Sequence, residues 1–253
     1  MNHLFIVGSQ RCGSTYLYHL LDSHPQILMA KPVRPEPKYF LEKSKYSQRI
    51  DSYYKNYFPE RRGDEVYFGE KSTSYIENPS AIRRILVQFP EAKVLVILRN
   101  PVDRAWSNYC FSRDSGIETA SFADAISNES ARDWTVYSTS ANPFSYVSRG
   151  YYSRYIEQLQ SIVPKEQLRV LIFEEVISSF LEIEDVYRWL KVDINHRPYV
   201  DIEKLNASSS YGQPSKFESK HLVEVYQADL LKLENLLSRK IDVWKQSWEG
   251  LKL

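Results

Sequence analysis

The chain has 253 residues, a length that fits one large domain or two small ones. Its 33 Lys and Arg residues nearly balance 32 Asp and Glu residues, so the charge argues against a dedicated nucleic-acid binder, which usually has a basic excess. With 43% hydrophobic and 26% charged residues, the composition is typical of a globular protein and not of a disordered one.

Three further features indicate the compartment. Cys12 and Cys110 are too few for a disulfide framework and favour a reducing environment. The longest apolar runs, such as 94–98, have the length of a strand, so the sequence predicts no membrane-spanning helix. The amino terminus leads directly into 4–7 without the basic and long apolar regions of a signal peptide. The expectation is a cytoplasmic protein.

Three runs rich in β-branched and apolar residues predict strands, and a helical pattern follows each of them. The strands are predicted at 4–7, 93–98 and 168–173, and the helices at 15–22, 79–88, 102–112, 151–162, 178–190 and 216–237. Strands that alternate with helices imply an α/β fold of the P-loop type, with a central parallel sheet flanked by helices. In such sheets, ligands bind beyond the carboxyl ends of the strands.

Two stretches have no clear period. Segment 31–57 is rich in Lys, Arg, Tyr and Pro, and we expect it to be an irregular insertion over the sheet edge. Segment 190–216 is the second irregular stretch. Neither has the composition of a flexible linker, so the sequence predicts a single domain over 1–253.

The first predicted strand leads into residues 8–15, GSQRCGST, which have the glycine spacing of a nucleotide-binding P-loop. In such a loop, backbone N–H groups and the amino terminus of the next helix converge on an anion. Ser14 stands where a P-loop ATPase has lysine, and the basic residue is Arg11 instead. The alternative is a strand–turn–helix junction that needs glycine only for its backbone angles.

The second predicted anion site follows the strand at 93–98, in the run RNPVDRAWS. Arg99 ends this strand where an ATPase would favour a carboxylate to hold Mg²⁺, and its guanidinium can bind a phosphate through two hydrogen bonds. Ser107 can donate its hydroxyl to the same anion. The alternative is a surface pair between Arg99 and Asp103. With the first loop, the run predicts two phosphate sites on one sheet edge and no metal.

These motifs resemble those of sulfotransferases that use 3′-phosphoadenosine 5′-phosphosulfate (PAPS), most closely the heparan-sulfate type and its bacterial relatives. Residues 8–15 resemble the family's 5′-phosphosulfate loop, and 99–107 resemble its 3′-phosphate motif. Shorter matches at 24–25, 36–40, 69–72 and 150–174 extend the resemblance over most of the chain. It implies transfer of a sulfuryl group to a hydroxyl or, less favoured, an amine, leaving adenosine 3′,5′-bisphosphate, with no metal required.

The resemblance also implies the residues that bind the cofactor. It assigns Arg99 and Ser107 to the 3′-phosphate, and it assigns the loop to the 5′ end. The family's later cofactor loop is basic, glycine-rich and flanked by a disulfide, whereas 205–212 has no cysteine and little charge. The loop contacts are Arg11, Cys12, Gly13, Ser14 and Thr15, and the candidate contacts of the later segment are Ser209, Tyr211 and Lys216.

Three charged residues are the candidates for catalysis. Arg11 keeps its proton at working pH, so we expect it to act as an electrostatic clamp on the leaving oxygen. Lys71 matches the family's Glu-Lys-Ser/Thr motif and is the candidate for a second cation near the sulfuryl group; a solvated lysine is the alternative. Glu36 matches the catalytic glutamate of the heparan-sulfate type and is the candidate general base. Because cations surround it in the sequence, it could instead be an ion-pair partner.

The acceptor is the least determined part of the prediction. Between Lys31 and Arg49, six cations face two acidic residues, with tyrosines interleaved, so segment 31–57 could lie over the acceptor site or be ordinary solvated surface. The expected partner is a small-molecule or glycan acceptor such as a saccharide, glycolipid or secondary metabolite; oligomeric state stays open. The rival functions are a Mg²⁺-dependent P-loop kinase or NTPase and a non-catalytic nucleotide-binding module.

Overall fold

The computed structural model of the protein describes residues 1–61, 63–137, 141–198, 200 and 211–251. Five of its strands form one parallel sheet in the order β2-β3-β1-β4-β5, so the predicted α/β fold with a central parallel sheet is confirmed. The strands are β1 (Asn2–Gly8), β2 (Ile27–Met29), β3 (Tyr67–Lys71), β4 (Lys93–Leu98) and β5 (Leu168–Ile172).

The helices follow the strands along the chain. They are α1 (Ser14–Asp22), α2 (Lys43–Tyr46), α3 (Ile50–Tyr57), α4 (Pro79–Gln88), α5 (Pro101–Asp114), α6 (Phe122–Ser127), α7 (Tyr152–Gln160), α8 (Phe173–Ser178), α9 (Leu181–Leu190), α10 (Lys216–Leu237) and α11 (Asp242–Glu249). Local sequence explains several of their starts. Proline begins both α4 and α5, each capped by the asparagine before it, and Ser215 and Glu218 form a capping box at the start of α10.

Two of the sequence predictions need correction. One helix was expected over 178–190, but α8 begins at Phe173, directly after β5, and Ser179 has extended backbone angles that separate α8 from α9. Segment 31–57 was expected to be irregular, but it contains α2 and α3. Helix α3 buries Tyr53 while most of its other residues stay at least partly exposed, and this one-sided packing explains a helix that composition alone conceals.

Strands β2 and β3 were not predicted. Strand β2 has only three residues, and β3 has the sequence YFGEK, which ends in charged residues. All five residues of β3 are nevertheless buried, because β3 pairs with β1 on one side and with β2 on the other. A Cβ atom at Gly69 would lie 2.1 Å from the Met29 sulfur, so glycine allows this close approach of β2.

The chain divides into two compact units. The first consists of Met1–Leu98 with Gln158–Leu205 and contains the sheet, whose three inner strands β3, β1 and β4 are almost entirely buried. The second consists of Arg99–Glu157 with Asn206–Leu253, and its buried aromatic residues include Tyr226 and Trp244. The single domain stays a prediction. In the described ranges, no helix is both long and apolar enough to cross a membrane.

Candidate active site

The loop between β1 and α1 follows the central strand of the sheet. Strands β1 and β4 are neighbours, and the chain continues from β1 to β2 on one side of this pair and from β4 to β5 on the other. Open α/β sheets bind ligands at such a point, where the strand order reverses. The amide of Ser9 donates to the carbonyl of Ile97 at 2.8 Å and ties the loop to β4. Gly13 has φ +82°, and a Cβ atom there would lie 2.2 Å from the ring of Phe173. Only glycine therefore fits the turn into α1.

The start of α1 presents backbone donors. The amide of Leu17 bonds to the carbonyl of Gly13 at 3.0 Å, so the amides of Ser14 and Thr15 precede the first bond of the helix and have no acceptor within it. Such amides, with the positive end of the helix dipole, favour an anion. The Ser9 hydroxyl is fully buried and has no hydrogen-bond partner among the described residues. An orphaned polar atom in the loop fits a site that takes a polar ligand.

The side chains of this loop differ in their exposure to solvent. Arg11 is partly exposed and has φ +64°, a conformation that residues other than glycine rarely adopt. Cys12 is fully buried, and its sulfur lies 3.6 Å from the carbonyl of Gln10. Of the two, the arginine is the side chain that can reach a solvent-facing ligand, whereas the cysteine packs into the core.

Lys71 and Glu36 form an ion pair at the carboxyl end of β3. The Lys71 Nζ atom lies 2.7 Å from Glu36 Oε1, and the two side chains are 3% and 14% exposed. Thr73 donates its amide to Glu36 Oε2 at 3.0 Å and places its hydroxyl 3.1 Å from both carboxylate oxygens. Lys71 is in register with Ile6 of β1, two residues before the loop begins at Gly8. The structure thus brings together two of the predicted catalytic residues, in the ion pair that was the alternative for Glu36.

Thr73 is a partner of Glu36 that the sequence prediction missed. The motif Glu-Lys-Ser at 70–72 was noted, but the threonine that follows it was not. The sequence offered no clear signal for this contact, because β3 was not predicted and the helical turn that begins at Thr73 follows directly after that strand.

In the second compact unit, Arg99 and Ser107 lie at the start of α5 and two turns along it. Both are partly buried. Tyr152 donates its hydroxyl to the Arg99 carbonyl at 2.9 Å, and Asn100 caps α5 by accepting from the amide of Val102. Burial raises the pKa of Asp103, and the charge of Arg99 acts in the opposite direction. Hydrogen bonds therefore hold the backbone that directly follows the Arg99 side chain.

Part of the later cofactor segment packs on α5. The indole nitrogen of Trp106 donates to the carbonyl of Gly212 at 3.1 Å, and the guanidinium of Arg113 lies 5.7 Å from the centre of the Tyr211 ring. Tyr211 thus belongs to the same unit as Ser107 and approaches the same helix. Lys216 is exposed at the first position of α10. Ser209 lies outside the described residues.

Comparison with known proteins gives consistent findings. A family model described as the sulfotransferase domain matches residues 1–242. Human bifunctional heparan sulfate N-deacetylase/N-sulfotransferase 2 is 29% identical over 194 residues, and the match covers 74% of this chain. The chain spans only 22% of the length of that curated relative.

Two solved structures resemble the fold. The crystal structure of a sulfotransferase from Alicyclobacillus acidocaldarius has a TM-score of 0.80 and 25% identity, covering 97% of this chain and 99% of its own. Mouse sulfotransferase SULT7A1, complexed with PAP, has a TM-score of 0.50 and 16% identity, covering 87% of this chain and 66% of its own. The second likeness concerns the fold alone.

Proposed function

The chain belongs to the sulfotransferase domain family, and we propose that it transfers the sulfuryl group of PAPS to a hydroxyl or, less favoured, an amine. The two motifs predicted a resemblance to sulfotransferases, and the comparisons confirm that family. The rival kinase or NTPase gains no support from these comparisons. The observation that carries the proposal is the loop at 8–15, with its glycine turn and with amides that have no acceptor within α1, in the unit that also holds the Lys71–Glu36 pair.

The two motifs supply candidate residues for the two ends of PAPS. We assign the 5′-phosphosulfate to Arg11 and the amides of residues 13–15, which suit an anion through charge and backbone donors. We assign the 3′-phosphate to Arg99 and Ser107, and Tyr211 and Lys216 remain candidate contacts. Membership of the sulfotransferase domain family supports the choice of cofactor.

The proposed chemistry depends on positive charge at the leaving oxygen. PAPS supplies an activated sulfuryl group, whose bond to the bisphosphate breaks with the electron pair leaving on the bisphosphate. Arg11 and the loop amides stabilise the negative charge that grows there. Arg11 keeps its proton, so it acts as a fixed charge and not as an acid. Lys71 provides a second cation. The anionic sulfuryl group, once near the Lys71 ammonium, would compete with the Glu36 carboxylate for that positive charge.

Glu36 is the proposed general base. As the new bond to sulfur forms, the acceptor hydroxyl or amine gives its proton to the Glu36 carboxylate. The amide and hydroxyl of Thr73 hold this carboxylate in one orientation, which is what a base needs to meet the acceptor's proton. When Lys71 turns to the sulfuryl group, the carboxylate loses its closest cation and becomes a better proton acceptor.

We propose a glycan as the acceptor. The heparan sulfate in the human relative's name and the cations of segment 31–57 support a sugar that carries negative charge. Several of these cations, Lys38 among them, belong to the unit that contains Glu36. We also propose a cytoplasmic location, for which the two buried thiols, Cys12 and Cys110, provide support.

One titration tests the function. We expect adenosine 3′,5′-bisphosphate to bind in the presence of EDTA, and ATP with Mg²⁺ to bind far more weakly and not be hydrolysed. Arg99→Ala should weaken bisphosphate binding by about 10- to 100-fold, as expected for a lost charge-assisted bond. Its affinity for AMP, which has no 3′-phosphate, should hardly change and serves as the control. Calorimetry measures each of these affinities, with AMP titrated into both the wild-type chain and the variant.

Two results would contradict the proposal. Tight binding and hydrolysis of ATP with Mg²⁺, without bisphosphate binding, would favour the kinase alternative. Bisphosphate binding with no sulfuryl transfer to any amine, hydroxyl or glycan acceptor would favour the non-catalytic module.

A further inference from the structure

Glu70, the residue before Lys71 in β3, is a carboxyl group with no solvent exposure. Its partners among the described residues are three hydroxyl groups. Ser72 and Tyr75 lie 2.6 Å from Oε1, and Tyr53 lies 2.9 Å from Oε2. Burial raises the pKa of Glu70, and the three hydrogen bonds oppose that rise. A buried acid with so many donors calls for a specific role.

Two of the three hydroxyls also accept hydrogen bonds from backbone amides. The amide of Lys38 donates to the Ser72 hydroxyl at 2.9 Å, and the amide of Phe40 donates to the Tyr75 hydroxyl at 3.0 Å. Because an amide can only donate, each hydroxyl uses a lone pair toward the amide and directs its proton to Glu70. Two relays therefore run from the backbone at 38–40 to one carboxylate oxygen.

These relays fix the segment that carries Glu36. Lys38 and Phe40 are two and four residues after it, and Lys38 has φ +49°, which non-glycine residues rarely adopt. The carboxylate of Glu36 is bound separately by Lys71 and Thr73. Residues 70–75 thus hold both the reactive end of Glu36 and the backbone just beyond it.

We infer that Glu70 is a positioning residue for Glu36, because it orients the two hydroxyls that hold residues 38–40. It acts through Ser72 and Tyr75, without contacting Glu36. The inference rests on the proposed function, since the position of Glu36 affects turnover only if Glu36 takes up the acceptor's proton.

Two tyrosines offer a matched pair of variants. Tyr75→Phe and Tyr53→Phe each remove one hydroxyl that donates a hydrogen bond to the Glu70 carboxyl group. Of the two hydroxyls, only that of Tyr75 also accepts a hydrogen bond from a backbone amide of residues 38–40. Hydrogen–deuterium exchange of a peptide covering 36–41 reads the relay without any substrate. We expect Tyr75→Phe to lower protection of this peptide by about tenfold, the size of one hydrogen bond, and Tyr53→Phe to leave it unchanged.

Turnover tests the functional part. Bisphosphate release from PAPS is measured with whichever of N-deacetylated heparan sulfate, a glycolipid and a phenol the wild-type chain uses fastest. We expect Tyr75→Phe to lower kcat by about tenfold with the KM for PAPS unchanged, and Tyr53→Phe to stay within about twofold of wild type. Glu70→Met should resemble Tyr75→Phe, whereas Glu70→Gln, which keeps an acceptor oxygen for Ser72 and Tyr75, should retain most turnover.

A double mutant separates positioning from general damage. In the Glu36→Gln background, Tyr75→Phe should cost no further turnover, because the group it positions is already gone. Equal effects of Tyr75→Phe and Tyr53→Phe, or an undiminished loss in the Glu36→Gln background, would overturn the inference and leave the proposed function intact. A wild-type chain that neither binds the bisphosphate nor transfers sulfuryl groups would overturn the proposed function, and the positioning role with it.

Discussion

The carboxylate of Glu36 is held by a lysine and a threonine, so its two interpretations make different predictions. If Glu36 is the base, Glu36→Gln should lower kcat by about 100-fold, because the amide cannot accept the acceptor's proton. The affinity for adenosine 3′,5′-bisphosphate, measured by calorimetry, should stay nearly constant. Steady-state kinetics with PAPS measure kcat.

A matched control lies on the same segment. Glu42 pairs with Lys45 at 2.9 Å, and its side chain is 47% exposed. Glu42→Gln should leave both kcat and bisphosphate affinity unchanged, because an exposed pair contributes little. Should Glu36→Gln behave like Glu42→Gln, the carboxylate of Glu36 is only an ion-pair partner and another group must take the proton.

For single residues, the sequence motifs predicted which side chains are functional candidates, but they did not predict which of these side chains contact each other. The run at 69–72 identified Lys71 as a functional cation candidate, and the run at 36–40 identified Glu36, yet nothing in the sequence indicated that the two side chains touch. That contact joins residues 35 positions apart and depends on β3, a strand whose sequence lacks the usual apolar pattern. The roles of Glu70 and Thr73 were missed for the same reason.

Among the elements, α5 shows how one side chain can fix a helix start. Asn100 accepts the amide of Val102 at 3.1 Å, donates to the Ser247 hydroxyl at 2.9 Å, and accepts from the indole of Trp248 at 3.2 Å. Asn100→Ala removes the cap and leaves the buried Trp248 donor without its acceptor. We expect a loss of about 2 kcal/mol in the free energy of unfolding, measured with urea.

Asn100→Ser distinguishes the two contributions. Serine is a good helix cap but too short to replace both bonds to α11. It should recover about 1 kcal/mol of the loss. If Ser and Ala variants are equally destabilised, the cap contributes nothing and the bonds to Ser247 and Trp248 account for the whole effect.

The prediction of strands and helices succeeded where the hydrophobic pattern was long. It failed where contacts with distant residues determine the local structure. Strand β4 and helices α4 and α10 have the predicted bounds. Each has a sustained hydrophobic pattern, and the two helices also have a clear start signal, Pro79 for α4 and Ser215 for α10. Strand β2 is too short to show a period. The break between α8 and α9 at Ser179 has no glycine or proline to mark it, so the sequence predicted one helix over 178–190.

Over the whole molecule, a formal charge of +1 conceals local asymmetry. Six cations face two acids between Lys31 and Arg49, and the rest of the chain offsets that excess. Net charge could therefore argue against nucleic acid as a partner, but it could not reveal the cationic segment proposed for the acceptor. Local charge has to be read along the chain and then placed on the fold.

Acid sensitivity of the fold depends on a buried histidine in β1. His3 is 5% exposed, shares a 2.7 Å hydrogen bond with the Tyr54 hydroxyl, and stacks on Phe89 at 3.6 Å. Burial lowers its pKa from 6.5 to about 4. As pH falls below 6.5, the unfolded chain takes up a proton at His3 while the folded chain does not until about pH 4.

The contribution of His3 to stability should therefore be fully present above about pH 6.5 and decline toward pH 4, by up to about 3 kcal/mol. Urea unfolding at intervals across this window measures the decline. Burial also lowers the pKa of His19 and His196, which adds to the same slope, so the difference from a His3→Gln variant isolates the contribution of His3. Glutamine cannot take up a proton there, and the variant's curve should be flatter between the two pH limits. Parallel curves would mean that His3 is protonated as readily in the folded chain as in the unfolded one, and that acid acts elsewhere.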